Sequence, residues 1–495
     1  MATGYEPYFD PDYESLIERI HAPRVCVDNE TCTDCTLVKV DRANKHEILV
    51  EMVQVLTDLD LLISKSYISS DGGWCMDVFH VTDQLGHKLT DNTLIRYIEQ
   101  SLCGGRRGDK TEVNEVTSNR TCIGSIMRSL HASTDYTAFE LMAIDKPGLL
   151  SEISAVLAEL RCNVAAAVVW THKKRAASVL YIEDESKGGG PITSSERMLR
   201  VEEQLAIVVG SHHCKGERRI MRLVEDPPSE RVHTGRRLHQ LMQADMHHEI
   251  SCSKDGNDSG KRRRSGSNNN IVTEVCIENC NEKGYTVVNV RCKDRPKLLF
   301  DTVCTLTDLG YVVFHAAISS RDSLAVQEYY IRRRDGCTLD SERERQRVMQ
   351  SLVEAAERRV SHGVKLDVCT KNRVGLLSDI TRVFREHGLS VSRAEISTLG
   401  EKAIGSFYVT DAYTGKNADP KTVELVRSEI GATVLEANKS ISAEWSSNGS
   451  NSQNNRSSST CSGDVEERPA KSSLGLGSLL WAPFVRLSSN SWGSA

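Results

Sequence analysis

One pattern recurs four times along the chain, and a repeat of this size constrains the fold more than any single residue does. Each copy is a short alternating strand, a turn with Asp or Asn, and an amphipathic helix that opens on two apolar residues. The copies read LVKVDRANKHEILVEMVQVLTDLDL from Leu37, FELMAIDKPGLLSEISAVLAELRCNV from Phe139, TVVNVRCKDRPKLLFDTVCTLTDLGYVV from Thr286 and KLDVCTKNRVGLLSDITRVFREHGLSV from Lys365. Leu49, Leu150, Leu299 and Leu377 mark the second apolar residue of each opening.

Periodicity supports the helices. Leu149, Leu150, Ile153, Val156, Leu157 and Leu160 fall on one face, as do Leu376, Leu377, Ile380, Val383 and Phe384, with Gly388 as a stop. A second strand follows each helix (LLISKSYIS, AAAVVWTH, VVFHAAIS, SVSRAEIS), then a third (MDVFHVTD, ASVLYIED, VQEYYIRRR, GSFYVTD). A second helix is predicted from Asp91, the Ser194–Ser195 region, Asp340 and Asp419, the last with Pro420 at its first position and Gly431 past its end. Ala206–Val209 and Thr433–Leu435 are the expected fourth strands. The order strand-helix-strand-strand-helix-strand predicts an α+β chain of tandem ferredoxin-like βαββαβ units, antiparallel sheets with helices on one face.

Composition places these units. Among 495 residues only 39% are hydrophobic and 5% aromatic, too thin for one large core. Two stretches account for the dilution. Residues 441–495 hold 16 serines and three of the five tryptophans, and cannot bury enough apolar surface to fold alone. Residues 212–270 form a His-rich linker ending in DGNDSGKRRRSGSNNN, basic in a chain of net charge −6. The expected layout is an extension over 1–34, repeats over 35–112, 136–211, 284–360 and 363–440, that linker, and a disordered tail. The acidic N-terminus lacks the basic start and apolar run of a secretory signal, no run is long enough to cross a bilayer as a helix, and the 16 cysteines read as reduced thiols. Cys75, Cys292, Cys304 and Cys369 are expected as buried small hydrophobes.

Chemistry concentrates at the turn after the first strand, where Asp41, Asp145, Asp294 and Asn372 recur. Gly148 and Gly375 precede the Leu-Leu pair in the second and fourth copies. A glycine there lets backbone approach a ligand, and the helix start offers unpaired N–H groups to a carboxylate, while Asp or Asn could engage an amine. The plainer alternative is that these residues cap the helix. No GxxxxGK[ST], HExxH or GxSxG occurs. Phe79, Tyr181, Tyr329, Tyr330, Phe407 and Tyr408 on the third strands lack the spacing and basic surround of an RNA-recognition sheet and read as packing residues. Cys26, Cys32, Cys35 and His21 could in principle form a zinc site, but their spacing is irregular and a lone CxxC is a weak signal. Leu238, Leu241 and Met242 give the segment with Arg236, Arg237 and His239 the spacing of a short helix docked on a repeat. Lys261–Arg264 reads as a solvated linker run or a nuclear import signal, and the apolar island 474–487 as chance composition or a partner or membrane-surface motif.

The Asp-Lys-Pro-Gly-Leu-Leu of 145–150, the Asn-Arg-Val-Gly-Leu-Leu of 372–377 and the element order resemble ACT domains. CVDNETCTDCTLVKVD, ISSDGGWCMDVFHVTD and VHTGRRLHQLMQAD extend the likeness to the plant ACT domain repeat family over about 25–440. Similar tandem ACT domains close bacterial PII uridylyltransferases, whose nucleotidyltransferase segment has no counterpart here. The resemblance implies units paired side by side with an amino acid at their interface, and candidate ligand-binding residues Asp41, Asn44, Asp145, Gly148, Asp294, Asn372 and Gly375. Glu47 and Lys297 stand where glycine is expected, so the second and fourth corners are the expected binders. The function expected is a non-catalytic amino-acid-binding regulator, without cofactor or metal, in the cytoplasm or also the nucleus. Its ligand would shift the block 30–210 against the block 271–440. Its partners would be a free amino acid, a second copy and further proteins; its charge argues against nucleic acid. The alternative is a scaffold whose repeats serve only for assembly.

Overall fold

The computed structural model describes residues 22–44, 47–71, 73–103, 133–211, 219–224, 232–252, 271–280, 283–321, 323–360, 363–431 and 435–437. His21, His212, His213, the Lys261–Arg264 run and the tail with its apolar island lie outside them. Repeat one comprises β1 (Arg24–Asp28), β2 (Thr36–Ala43), α1 (Ile48–Asp58), β3 (Leu62–Asp71), β4 (Trp74–Thr82) and α2 (Asn92–Leu102). Repeat two comprises β5 (Thr137–Ile144), α3 (Leu149–Glu159), β6 (Cys162–His172), β7 (Arg175–Asp184), α4 (Ser195–Ser211) and β8 (Ile220–Leu223). The connector forms α5 (Thr234–Cys252). Repeat three runs β9 (Glu274–Cys280), β10 (Tyr285–Lys293), α6 (Leu298–Asp308), β11 (Tyr311–Arg321), β12 (Leu324–Arg333) and α7 (Glu342–Arg358). Repeat four runs β13 (Val364–Lys371), α8 (Leu376–Glu386), β14 (Leu389–Leu399), β15 (Lys402–Asp411), α9 (Pro420–Ile430) and β16 (Leu435–Ala437).

Two features differ from the sequence-based expectation. Ala206–Val209 continue α4, because Val201, Leu205 and Val209 keep helical spacing and are buried together; the edge strand beside β5 is β8 instead. In repeats one and three the fourth strand comes first: β1 and β9 precede the motif and pair antiparallel with β2 and β10. Their order is ββαββα, so only repeats two and four follow βαββαβ. Caps at the second helices follow the polar residues foreseen, with Asp91 accepting from Thr93 N–H, Ser341 rather than Asp340 before α7, and Asp419, Pro420 and Gly431 bounding α9.

The repeats pair across the linker. The first sheet has the order β1-β2-β4-β3-β11-β12-β10-β9 and joins repeats one and three; the second, β16-β13-β15-β14-β6-β7-β5-β8, joins two and four. Each junction is antiparallel between second strands. It centres on Tyr67 opposite Ala317 in one sheet and Val168 opposite Glu395 in the other, residues that hold the same place in their repeats. α1 packs on α6 and α3 on α8, giving each sheet an approximate twofold. Because each sheet takes one repeat from each block of sequence, the two blocks are interlocked and cannot slide as separate bodies.

In the first sheet a single apolar core runs through both repeats, from Val38 and Phe79 to Phe300 and Tyr329. The core of repeat two, around Phe139, Leu180 and Leu205, is its own. Its sheet also buries a second face, where Trp170, Tyr181 and Val179 pack against Leu238, Leu241 and Met242 of α5. Phe79, Tyr181, Tyr329 and Phe407 are all buried packing residues. Cys75, Cys292 and Cys304 are buried, whereas Cys369 is exposed, since β13 turns that position to the outer face. Among the described residues no helix is long and apolar enough to cross a membrane.

Candidate ligand-binding site

The corner between first strand and first helix is built alike four times. Asn44, Asp145, Asp294 and Asn372 donate their backbone N–H groups to the carbonyls of Gly73, Lys174, Ser323 and Glu401 in the adjacent hairpin, at 2.7, 2.7, 2.8 and 2.7 Å. The structural counterpart of Asp145 in repeat one is therefore Asn44. Asp41 lies within β2, three residues earlier, and its carboxylate accepts from the Trp74 indole. Of the two repeat-one candidates, Asn44 therefore holds the corner position and Asp41 lies on the strand before it. None of the four side chains caps a helix. The cap position is Glu47, Gly148, Lys297 or Gly375, all at positive φ (64°, 92°, 66° and 80°) and without a side-chain cap hydrogen bond.

In the second sheet these corners open onto two clefts related by the approximate twofold. One is lined by Asn372, Gly375 and Leu376 of repeat four and by Ser154, Cys162 and Asn163 of repeat two. The other is lined by Asp145, Gly148 and Leu149 of repeat two and by Thr381, Arg385 and Ser390 of repeat four. Between them, on the axis, Ser154 Oγ and Thr381 Oγ1 lie 3.0 Å apart, and each lies 2.7 Å from the carbonyl four residues back, so one hydroxyl donates across the axis while the other donates to its carbonyl. Both clefts are narrow, with cavity volumes of about 20 and about 30 Å³. They are not identical: a Cβ on Gly148 would meet the Arg385 side chain at 3.0 Å, whereas one on Gly375 would meet Ala158 at 3.7 Å. Burial pushes the Asp145 carboxyl up to about 6, opposed by a hydrogen bond with Thr171. That corner thus combines a poised carboxyl, a helix start without a side-chain cap and the aliphatic stem of Arg385 against Gly148. Arg385 and the Ser154–Thr381 pair were missed in the sequence because they meet the clefts only through the pairing of repeats, and Thr171 because it approaches Asp145 from a distant strand of the same repeat.

The first sheet uses the same corners differently. Glu47 accepts both Nη groups of Arg236 on α5 at 2.7 and 2.9 Å, and Arg236 also bonds Asp308. Lys297 reaches Asp60 at 3.4 Å. Asp294 is partly buried, its carboxyl pushed up by desolvation against a hydrogen bond with Ser320. The places of Ser154 and Thr381 are taken by Val53 and Val303, both buried in the shared core.

Sequence comparison gives this architecture its family. The model of the "ACR family N-terminal ACT domain" matches residues 31–109, and the "ACT domain" model matches 137–189 and 365–431. Among curated relatives from Arabidopsis thaliana, "ACT domain-containing protein ACR1" is 48% identical over 99% of both chains. "ACT domain-containing protein ACR3" is 49% identical over 91% of this chain and 95% of its own, and "ACT domain-containing protein ACR2" 40% over 98% of both. The chain belongs to the ACR family of ACT domain-containing proteins.

Helix α5 fastens repeats one, two and three to one another through Glu47, Glu140 and Asp301. His239, fully buried, lies 2.8 Å from Asp301 of α6 through Nε2, while Arg358 approaches Nδ1 at 3.1 Å. Asp301 also pairs with Arg295 at 2.7 Å and Arg359 at 3.4 Å, and Arg359 stacks 4.0 Å from the Trp170 ring of the second sheet. Burial alone would raise the Asp301 carboxyl; Arg359 and Arg295 hold it well below the usual carboxylate range instead. Burial pushes His239 down to about 4 against the pull of Asp301, so the ring stays neutral and can donate to Asp301 through one nitrogen and accept from Arg358 at the other. Arg175 to Asp245 at 2.6 Å, Arg237 to Glu140 at 2.6 Å and His172 to Glu354 at 2.7 Å complete the seam. The docking of Leu238, Leu241 and Met242 was legible from spacing. The ion cluster was not, since its members come from α5, α6, the turn before α6 and the end of α7.

Proposed function

We propose that this ACR-family protein is a non-catalytic regulator that binds a free amino acid in the two clefts between repeats two and four. The observation that carries this reading is the glycine at both second-sheet corners, Gly148 and Gly375, where the first sheet has Glu47 and Lys297 engaged in ion pairs. In the better-furnished cleft the ligand ammonium would sit on Asp145. Its carboxylate would meet the N-terminal N–H groups of α3 and the Arg385 guanidinium. The narrow cleft fits a signalling role: a ligand must part repeats two and four, and repeat two is tied through α5 to the first sheet. The movement transmitted is therefore a change within the second sheet's pair, replacing the sliding of two sequence blocks expected from the linear layout.

Calorimetry of the full chain against each common amino acid tests this. Binding of at least one is the expected outcome, with one of the two sites lost in Asp145→Ala or in Gly375→Glu and all binding lost in the double variant, circular dichroism unchanged. Absence of binding by all of them, in a chain that forms stable oligomers, would favour assembly as the role instead. Binding unaffected by both substitutions would move the site elsewhere.

A further inference from the structure

Repeat one carries a pair of cysteines that no part of the ligand reading uses. Cys32 lies in the loop between β1 and β2, and Cys35 is the residue just before β2. Cys32 is partly exposed and Cys35 buried, and their Sγ atoms are 3.2 Å apart. The loop between them is pinned from both ends. Asp28 accepts the N–H groups of Glu30 and Thr31 at 2.8 and 3.0 Å. Asn29 accepts from the Thr36 hydroxyl at 2.6 Å and donates to the Leu89 carbonyl at 2.8 Å. The same frame stands in repeat three, where Asn279 accepts from Thr286 at 2.9 Å and donates to the Leu339 carbonyl at 3.1 Å. There Tyr285 takes the place of Cys35. The frame therefore does not depend on sulfur, and the cysteine pair is an addition to it.

We propose that Cys32 and Cys35 are a thiol–disulfide exchange site, closing to an intramolecular disulfide with a low-molecular-weight disulfide such as oxidised glutathione as oxidant. The two sulfurs have distinct roles. The backbone N–H of Asp34 and the Cys35 thiol lower the pKa of Cys32, which makes it the attacking thiolate. Burial pushes the Cys35 thiol up to about 11, and among its charged neighbours Lys65 eases and Asp34 adds to that shift. Cys32 attacks one sulfur of the glutathione disulfide; that S–S bond breaks, leaving Cys32 in a mixed disulfide and releasing one glutathione thiolate. Cys35 then gives its proton to solvent and attacks Cys32 Sγ, expelling the second glutathione thiolate, and both thiolates take up protons. Two electrons pass from the dithiol to the glutathione disulfide, and reduced glutathione reverses each step. Only Thr33 and Asp34 lie between the two cysteines, so closure constrains little of the unfolded chain. Such a disulfide adds little stability, which suits a reversible modification rather than a structural staple. It would clip the loop that leads from the edge strand β1 into the first sheet.

The test equilibrates the full chain in glutathione buffers of graded ratio, quenches with acid, traps free thiols and maps disulfides by peptide mass spectrometry. A Cys32–Cys35 disulfide that appears and disappears with the buffer ratio is expected, with Cys32 alkylated about tenfold or more faster than Cys35 in the reduced protein. Cys35→Ser should halt at a glutathione adduct on Cys32, and Cys32→Ser should leave Cys35 reduced; circular dichroism identical to wild type establishes that both fold. The proposal is overturned if oxidation loads only other exposed cysteines such as Cys26, Cys276 and Cys337. It is equally overturned if Cys35→Ser leaves the extent of adduct on Cys32 unchanged.

Discussion

Repeats three and four carry the same arginine–aspartate pair at the same place, just before and within the first helix, and the two pairs live in different worlds. Arg295 and Asp301 meet at 2.7 Å with Asp301 fully buried beneath α5; Arg373 and Asp379 meet at 2.5 Å in the open, each about half exposed. The difference lies in what covers the helix. α6 is sandwiched between its own sheet and the connector, whereas α8 lies on the outer layer of the molecule. The contrast extends to the sheets as wholes. The first has fused its repeats into one apolar core and turned its corner side chains into ion pairs; the second keeps glycine corners, a hydroxyl pair on its axis and two clefts. One topology thus yields a fastening unit and a unit suited to receive a ligand.

That division can be broken deliberately. Asp301→Ala should lower stability by about 3–5 kcal/mol, because Arg295 and Arg359 are left buried and uncompensated. Asp379→Ala should cost less than about 1 kcal/mol, and urea midpoints of the two variants measure the gap. Comparable effects would mean that burial beneath α5 does not distinguish the sheets.

Leu241→Ala removes apolar contact between α5 and the second sheet and should cost about 2–4 kcal/mol by the same measurement. A loss below about 1 kcal/mol would show that α5 is held by its ion pairs alone.

Acid should act through His239. In the unfolded chain the ring takes a proton near pH 6.5, in the fold only near 4, so the unfolded state binds more protons between these values. Stability should therefore fall by up to about 3 kcal/mol as pH drops from 6.5 to 4, and His239→Gln should flatten that slope. An unchanged slope would assign the acid response to other groups.

The second sheet has its own pH signature. With its folded-state carboxyl pushed up to about 6, Asp145 is charged above that pH and neutral below it. Amino-acid affinity should weaken as pH falls through 6, and calorimetry of Asp145→Asn should find weaker binding without that dependence. The smallest effect is expected at the first-sheet corners. Glu47→Gly loses the Arg236 pair but relieves a non-glycine residue at φ 64°, and the two offset to within about 1 kcal/mol.

Much of this molecule was legible in the linear sequence where the signal is local. The helices opening at Leu149 and Leu376 follow apolar periodicity, and α9 follows Asp419, Pro420 and Gly431. Local reading failed where an element takes its meaning from a distant partner. Ala206–Val209 look like a strand until Val201 and Leu205 are seen buried beside them. Asp41 looks like the corner residue until Asn44 is found donating to Gly73. Arg385 belongs to a cleft only because α8 lies across from Gly148.

By itself the sequence determined four units of one kind, their helices and strands, and the glycine or charged residue at each corner, since these depend on periodicity and backbone freedom within a few residues. Tertiary structure decided that repeat one joins three and two joins four, and which arginine–aspartate pair is buried. Strand-edge pairing and desolvation depend on what lies across the interface, and nothing within a single repeat encodes that.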